Sequence, residues 1–233
     1  MGEVRRLVLW DVDGTLIRAG ISAAVFDVAL EAVIGRRPSA RVRMGGKTDP
    51  QIVREYLQQM GVDETPGVVE EVLGVLEGQL AAAAATGELV ANGSACPGVA
   101  AVLEALDKEE AVVCSLLTGN VHPNALVKVA AFGLERWLSL DVGAYGSDHA
   151  DRDELVPIAL SRLWVNRGVR LDPPAVWVVG DTPRDLRCAR AAGARCLLVA
   201  TGRHPLEELA ALGADAVFPD LSDTRLVVDT LLG

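Results

Sequence analysis

From residue 111 onward the chain alternates short apolar runs with stretches of helical spacing, and no other feature constrains its fold as strongly. Residues 111–117, 175–179 and 195–200 read as buried strands, 214–218 as a weaker one and 138–142 as a short one. Between them, residues 123–132 and 154–167 have helical spacing. In the second of these, Leu155, Ile158, Ala159, Arg162 and Leu163 form a stripe on one side. Pro183 opens a further helix, where a first-turn proline is tolerated. Repeated strand–helix units predict an α/β fold, a parallel sheet with helices on both faces. Right-handed crossovers bring the strand ends to one edge.

The earlier part of the chain has a different pattern. Residues 22–35, 49–60 and 65–86 read as helices with no strands between them, and the third contains the run Leu80-Ala-Ala-Ala-Ala-Ala85, which has high helix propensity. The economical organisation is an α/β core of residues 1–17 and 97–233, interrupted after its first strand by an all-helical insert of residues 18–96. The chain crosses between them near 17–21 and 91–97, with Asn92-Gly93-Ser94 as a hinge. There is no internal repeat.

The 233 residues are half hydrophobic with few aromatics, which predicts a packed aliphatic core. A formal net charge of −10 excludes a general nucleic-acid surface. An anionic substrate would therefore have to be attracted locally, by a metal and one or two cationic side chains. Residues 1–6 lead straight into a strand-like run, unlike a signal peptide. The longest apolar stretches fall short of the ~18 residues that cross a bilayer, so no membrane partner is expected. Cys96, Cys114, Cys188 and Cys196 lack C-x-x-C spacing, and Cys114 and Cys196 lie in apolar runs. A reduced, cytoplasmic setting is the simplest inference. His122, His149 and His204 are scattered, which argues against a histidine metal site.

Residues 7–16 read L-V-L-W-D-V-D-G-T-L. Asp11 and Asp13 stand where a strand becomes a loop, and residues two apart on a strand face the same side. Two carboxylates so close repel, so the pair needs a cation, a shared proton or both. That suits a magnesium site in which one carboxylate attacks and the other moves protons. Taken alone, the pair also fits aspartates that start a turn or cap a helix.

Three later motifs accompany the pair: Leu116-Leu117-Thr118-Gly119-Asn120, Arg152 just before a helix, and Val178-Val179-Gly180-Asp181-Thr-Pro-Arg-Asp185. In this order and over nearly the full length, the chain resembles the haloacid dehalogenase-like hydrolases, a superfamily mostly of magnesium-dependent phosphatases and phosphotransferases. The resemblance implies a Rossmann-like core and makes the insert a helical cap that closes over the site. It implies that Asp11 is the nucleophile forming an aspartyl-phosphate, and that Asp13 is the general acid/base. It further implies that Thr118, with the N–H groups of Gly119 and Asn120, binds the phosphate. Magnesium would be held by Asp11, Asp181 and the backbone carbonyl of Asp13, with Asp185 supporting the site. True dehalogenases of this superfamily lack the second aspartate, so Asp13 favours phosphoryl transfer.

Arg152 occupies the slot where the family usually has lysine. There it would offset the repulsion among Asp11, Asp13 and a phosphate, each such pair being worth ~4 kcal/mol at about 4 Å and an effective dielectric near 20. The alternative is that Arg152 pairs on a solvated surface with Asp151, Asp153 or Glu154.

In the insert, Met44-Gly45-Gly46-Lys47-Thr48-Asp49-Pro50 places a cap residue, Thr48 or Asp49, before the next helix. Gln51 is placed to complete a capping box with Thr48. Lys47 is positioned either to reach a substrate phosphate or carboxylate, or to stay solvated on its loop. The G-K-T triplet is not a nucleotide-binding loop, because Arg41 stands where that loop requires glycine. The expected activity is hydrolysis of a small phosphorylated metabolite by a monomer or homodimer, with phosphoglycolate-type or sugar-phosphate esters as analogies. A phosphomutase of the β-phosphoglucomutase type and a catalytically silent binding protein are the alternatives.

Overall fold

Leu7, Val8, Leu9 and Trp10 are all fully buried, because the strand they form lies in the interior of a sheet covered on both faces. The computed structural model describes residues 3–233, so Met1 and Gly2 of the lead-in segment lie outside the described residues. In chain order the elements are β1 (Arg6–Trp10), β2 (Ile17–Ala19), α1 (Ser22–Ile34), α2 (Asp49–Gln59), α3 (Pro66–Ala85), α4 (Glu88–Ala91) and β3 (Gly93–Ala95). There follow α5 (Val99–Asp107), β4 (Val112–Thr118), α6 (His122–Ala131), β5 (Ala144–Tyr145), α7 (Leu155–Arg167) and β6 (Val176–Gly180). The chain ends with α8 (Pro183–Ala191), β7 (Arg195–Val199), α9 (Leu206–Ala210), β8 (Ala216–Phe218) and α10 (Thr224–Leu232).

Six strands form a parallel sheet in the order β5-β4-β1-β6-β7-β8. Successive side chains of a strand point to opposite faces. Val8 and Trp10 therefore pack with α5, α6 and α10, and Leu7 and Leu9 pack with α7, α8 and α9. The sequence passes from β1 to β4 on one side and to β6 on the other, so the order reverses at β1. In open α/β sheets such a switch point, at the carboxyl ends of the strands, is where ligands bind. Trp10 pairs with both Leu116 and Val179, which brings the ends of β1, β4 and β6 level.

The helices between β2 and β3 have apolar clusters of their own. Phe26 and Leu30 of α1, Tyr56 and Leu57 of α2, and Val72 and Leu76 of α3 pack together, while Leu80 and Leu89 meet α6. Thr65 caps α3 by accepting from the Val68 N–H at 3.4 Å. Among the described residues, no helix is long and apolar enough to cross a membrane.

Two local expectations are corrected. Residues 138–142 form no strand: the N–H of Ser139 bonds the Cys114 carbonyl, Val142 turns back onto Ser139, and the chain pairs with β4 only at Ala144 and Tyr145. Leu138 and Val142 are apolar because they are buried in that turn. The crossings into and out of the insert, the second read as a hinge, pair with each other as an antiparallel ribbon, Ile17 opposite Ala95 and Ala19 opposite Gly93. Gly93 allows the approach, since a Cβ there would lie 2.8 Å from the carbonyl oxygens of Arg18 and Leu89.

Candidate active site

Asp11 follows β1 directly, and its N–H continues the ladder to the Val179 carbonyl at 2.9 Å. Its carboxylate is buried and accepts at Oδ1 from Nη2 of Arg152 at 2.9 Å. The same nitrogen donates to Asp185 Oδ1 at 2.5 Å and to the Leu117 carbonyl at 3.2 Å. Arg152 is only 3% exposed, so its side chain is not the solvated partner of the neighbouring acids. Those acids have other roles: Asp151 accepts from the Asp153 N–H, and Asp153 pairs with Arg187 at 2.9 Å. Burial alone would lower the pKa of Arg152, but Asp185 and Asp11 outweigh it and hold the guanidinium charged.

Asp181 follows the end of β6, and Asp185 sits in the first turn of α8. Both oxygens of Asp185 are engaged, Oδ1 by Arg152 and Oδ2 by the N–H and hydroxyl of Thr182 at 2.9 and 2.7 Å. Among the described residues Asp181 has one weak donor, the Thr15 hydroxyl at 3.4 Å. Gly14, at φ 93°, leaves room for it, since a Cβ there would lie 2.5 Å from its Oδ2.

Carboxylate oxygens of Asp11, Asp181 and Asp185 all lie within 4.8 Å of one another. Burial pushes Asp11 up to about 7, with Arg152 pulling against it and Asp185 adding to it. Burial, then the charges of Asp11 and Asp185, push Asp181 up to about 9. Hard oxygen donors carrying more negative charge than one guanidinium balances are what a divalent cation such as magnesium fits. The Asp13 side chain is not part of this cluster and has partners of its own.

Asp13 Oδ2 accepts from Nζ of Lys128 at 2.5 Å and from Nδ2 of Asn120 at 2.7 Å, and Lys128 also donates to Asn120 Oδ1 at 2.6 Å. Oδ1 of Asp13 is buried without a partner. Thr118 Oγ1 accepts from the backbone N–H and side-chain amide of Asn120, at 3.2 and 2.9 Å, which leaves its own proton available to donate. Lys128 is a site residue that the motifs did not single out. A lysine in the last turn of a helix has an ordinary reading as a favourable charge at the dipole's negative end. The signal that points to it is the spacing Asn120, Asn124, Lys128, a polar stripe of which the last two are buried on one face of α6.

The insert reaches the site through its glycine loop. Thr48 caps α2 by accepting from the Gln51 N–H at 3.3 Å, and its hydroxyl donates to the Ala150 carbonyl at 2.8 Å. The Asp49 N–H donates to the Gly119 carbonyl at 2.7 Å, and its Oδ2 accepts from the Val121 N–H at 2.9 Å. Burial pushes Asp49 up to about 6, against the pull of Lys128. A Cβ on Gly119 would collide with the Lys47 carbonyl, so glycine is what lets the two loops touch. Lys47 lines the cleft but is ion-paired with Glu55, which is neither of the two expected placements in full. The cleft measures about 310 Å³ and is lined by Asp11, Asp13, Thr118, Gly119, Asn120, Arg152 and Asp181. Asp185 lies behind it.

A family model described as haloacid dehalogenase-like hydrolase matches residues 8–190. The chain is 28% identical over 226 residues to a phosphoglycolate phosphatase of Pseudomonas fluorescens (strain Pf0-1), covering 94% of this chain and 78% of that protein. It is similar in structure to a hydrolase from Pseudomonas syringae, with a TM-score of 0.71, 20% identity, and 97% and 98% of the two chains covered. A mutant CbbY from Rhodobacter sphaeroides in complex with xylulose-(1,5)bisphosphate gives a TM-score of 0.71 at 22% identity, over 94% of this chain and 96% of that one. At such identities the solved structures speak to the fold alone.

Proposed function

Because this chain belongs to the haloacid dehalogenase-like hydrolases, we propose that it is a magnesium-dependent phosphatase hydrolysing a small phosphomonoester through an aspartyl-phosphate on Asp11. The observation that carries this is the separate treatment of the two aspartates. Asp11 is held by Arg152 within a carboxylate cluster, and Asp13, which is not a member of that cluster, is held by Lys128 and Asn120. Two carboxylates in such different surroundings suit two different roles.

In the first step an oxygen of Asp11 attacks phosphorus and the bond to the ester oxygen breaks. The leaving oxygen takes the proton of the Asp13 carboxyl and departs as the alcohol. In the second step the Asp13 carboxylate takes a proton from water as that water attacks phosphorus. The bond to Asp11 breaks, and inorganic phosphate leaves with both aspartates restored. Thr118 and the N–H groups of Gly119 and Asn120 bind phosphoryl oxygens, and Arg152 holds Asp11 in place. Magnesium would be held by Asp11, Asp181 and the Asp13 carbonyl, with Asp185 in support; when bound it offsets charge between nucleophile and phosphate.

Residues 18–96 act as the cap domain over a core of residues 1–17 and 97–233. The cleft of about 310 Å³ favours a metabolite over a phosphoprotein. Lys47 contributes a cap contact to the substrate once released from Glu55. Four free, buried cysteines support a reducing, cytoplasmic setting. The exposed large apolar side chains are few, which supports a monomer or homodimer.

The test is release of free phosphate from p-nitrophenyl phosphate and a panel of phosphorylated metabolites, with and without magnesium. Magnesium-dependent release is expected, abolished by chelation. Isomerised sugar phosphate without free phosphate would establish a mutase instead, and no turnover at any pH would establish a silent protein.

The metal makes a separate prediction. The native-state values of Asp11 and Asp181 lie above the ordinary carboxylate value, so the folded chain holds more protons than the unfolded one. Without metal, stability should therefore fall as pH rises through this window, up to about 9. A cation that takes the place of those protons should raise the melting temperature more at the upper end than near neutrality. Thermal denaturation with and without magnesium across that range checks it, and a constant increment would remove the carboxylate cluster as the binding site.

A further inference from the structure

Lys128 is a buried cation with no part in the steps above. The residue is 5% exposed, and its ammonium faces two carboxylates, Asp13 from the core and Asp49 from the insert. A buried lysine is a poor way to stabilise a helix. An apolar side chain of similar volume at such a position is often neutral or better, because the charge must be taken out of water. Its placement is also specific. Lys128 and the Asn120 amide both donate to Oδ2 of Asp13, while Lys128 fixes the orientation of that amide through Asn120 Oδ1. Oδ1 of Asp13 has no partner among the described residues.

We propose that Lys128 is a positioning residue for Asp13: its ammonium, with the Asn120 amide that it orients, fixes the Asp13 side chain in one rotamer at the cleft. The inference rests on the role proposed for Asp13. A carboxylate held by two donors loses its rotational freedom, and proton transfer to a leaving group needs that fixed geometry.

Lys128→Met separates this role from simple packing. For an alkyl phosphate, whose leaving oxygen needs a proton, kcat should fall on the order of 100-fold, the effect of a misplaced catalytic group. For p-nitrophenyl phosphate, whose leaving group needs little help, the loss should be only about threefold, and KM should barely change for either. In an Asp13→Asn background the same substitution should cost nothing further. Equal losses on both substrates, a change in KM alone, or additive losses in the double variant would overturn the proposal. Wild-type enzyme that shows no turnover, or Asp13→Asn that hydrolyses the alkyl ester at full rate, would instead overturn the role given to Asp13. A crystal structure of Lys128→Met decides independently of activity: Asp13 should leave the Asn120 amide, and an unchanged Asp13 rotamer would sink the positioning role.

Discussion

Asp11→Asn abolishes turnover and abolishes trapping of a phosphoenzyme mimic with beryllium or aluminium fluoride, while the protein still folds. The amide nitrogen and oxygen occupy nearly the volume of the carboxylate, and Arg152 Nη2 retains an acceptor if the amide oxygen faces it. What is lost is the anionic nucleophile. A covalent route with no nucleophile has no residual pathway through Asp13, whose side chain is held by Lys128 and Asn120. The expected loss is at least on the order of 10⁴-fold, the scale seen when a residue that makes the covalent intermediate is removed. Circular dichroism and a fluoride-complex binding measurement check the two halves separately. A variant that keeps full activity would remove Asp11 as nucleophile whatever else the site does.

Arg152→Met is the substitution with the largest expected effect on both folding and activity. Nη2 serves Asp11, Asp185 and the Leu117 carbonyl at once, and the guanidinium is nine-tenths or more out of solvent. Removing it leaves two carboxylates buried and unpaired, which in comparable sites costs about 3–5 kcal/mol. In a chain of this size that is a substantial fraction of total stability, which is on the order of 5–15 kcal/mol. Catalysis should fail as well, because Asp11 then holds its proton more tightly and is no longer held in place. Arg152→Lys should retain more of both. All three contacts come from one nitrogen, which an ammonium can approximate, although the shorter side chain has to stretch for them. Chemical denaturation and phosphate release on the same two variants check the ranking. Equal stability of wild type and Arg152→Met would show that the three contacts do not form in solution.

How much of this was legible in the sequence differs from residue to residue. The strands carrying Asp11, Thr118 and Asp181 could be read because apolar runs ended by polar turns have little other use, and the parallel sheet follows from their alternation with helices. The helices α1, α2 and α3 were legible from their helical spacing and, in α3, from its alanine run. Arg152 was visible as a position but not as a contact: three acids stand beside it in sequence, and only the fold directs it inward to Asp11 and Asp185. Lys128 was hidden by its helix, where a cation in the last turn has an ordinary explanation. The ribbon of β2 and β3 was hidden because three-residue strands carry no periodicity, and their partners are more than seventy residues apart in sequence. The misplaced strand at 138–142 shows the converse error, apolar residues buried in a turn looking like a strand.

That ribbon has a consequence for how such a chain can be rebuilt. Ile17 and Ala95 are neighbours, and the N–H of Gly20 bonds the Asn92 carbonyl at 3.1 Å, so the two ends of the excursion nearly touch. The six-stranded sheet takes no strand from the excursion. Replacing everything between Gly20 and Asn92 with a short hairpin turn is therefore a graft that the backbone can accept without moving a strand. On the covering role proposed for residues 18–96, exchanging that segment is a route to new substrates while the residues at the strand ends stay as they are.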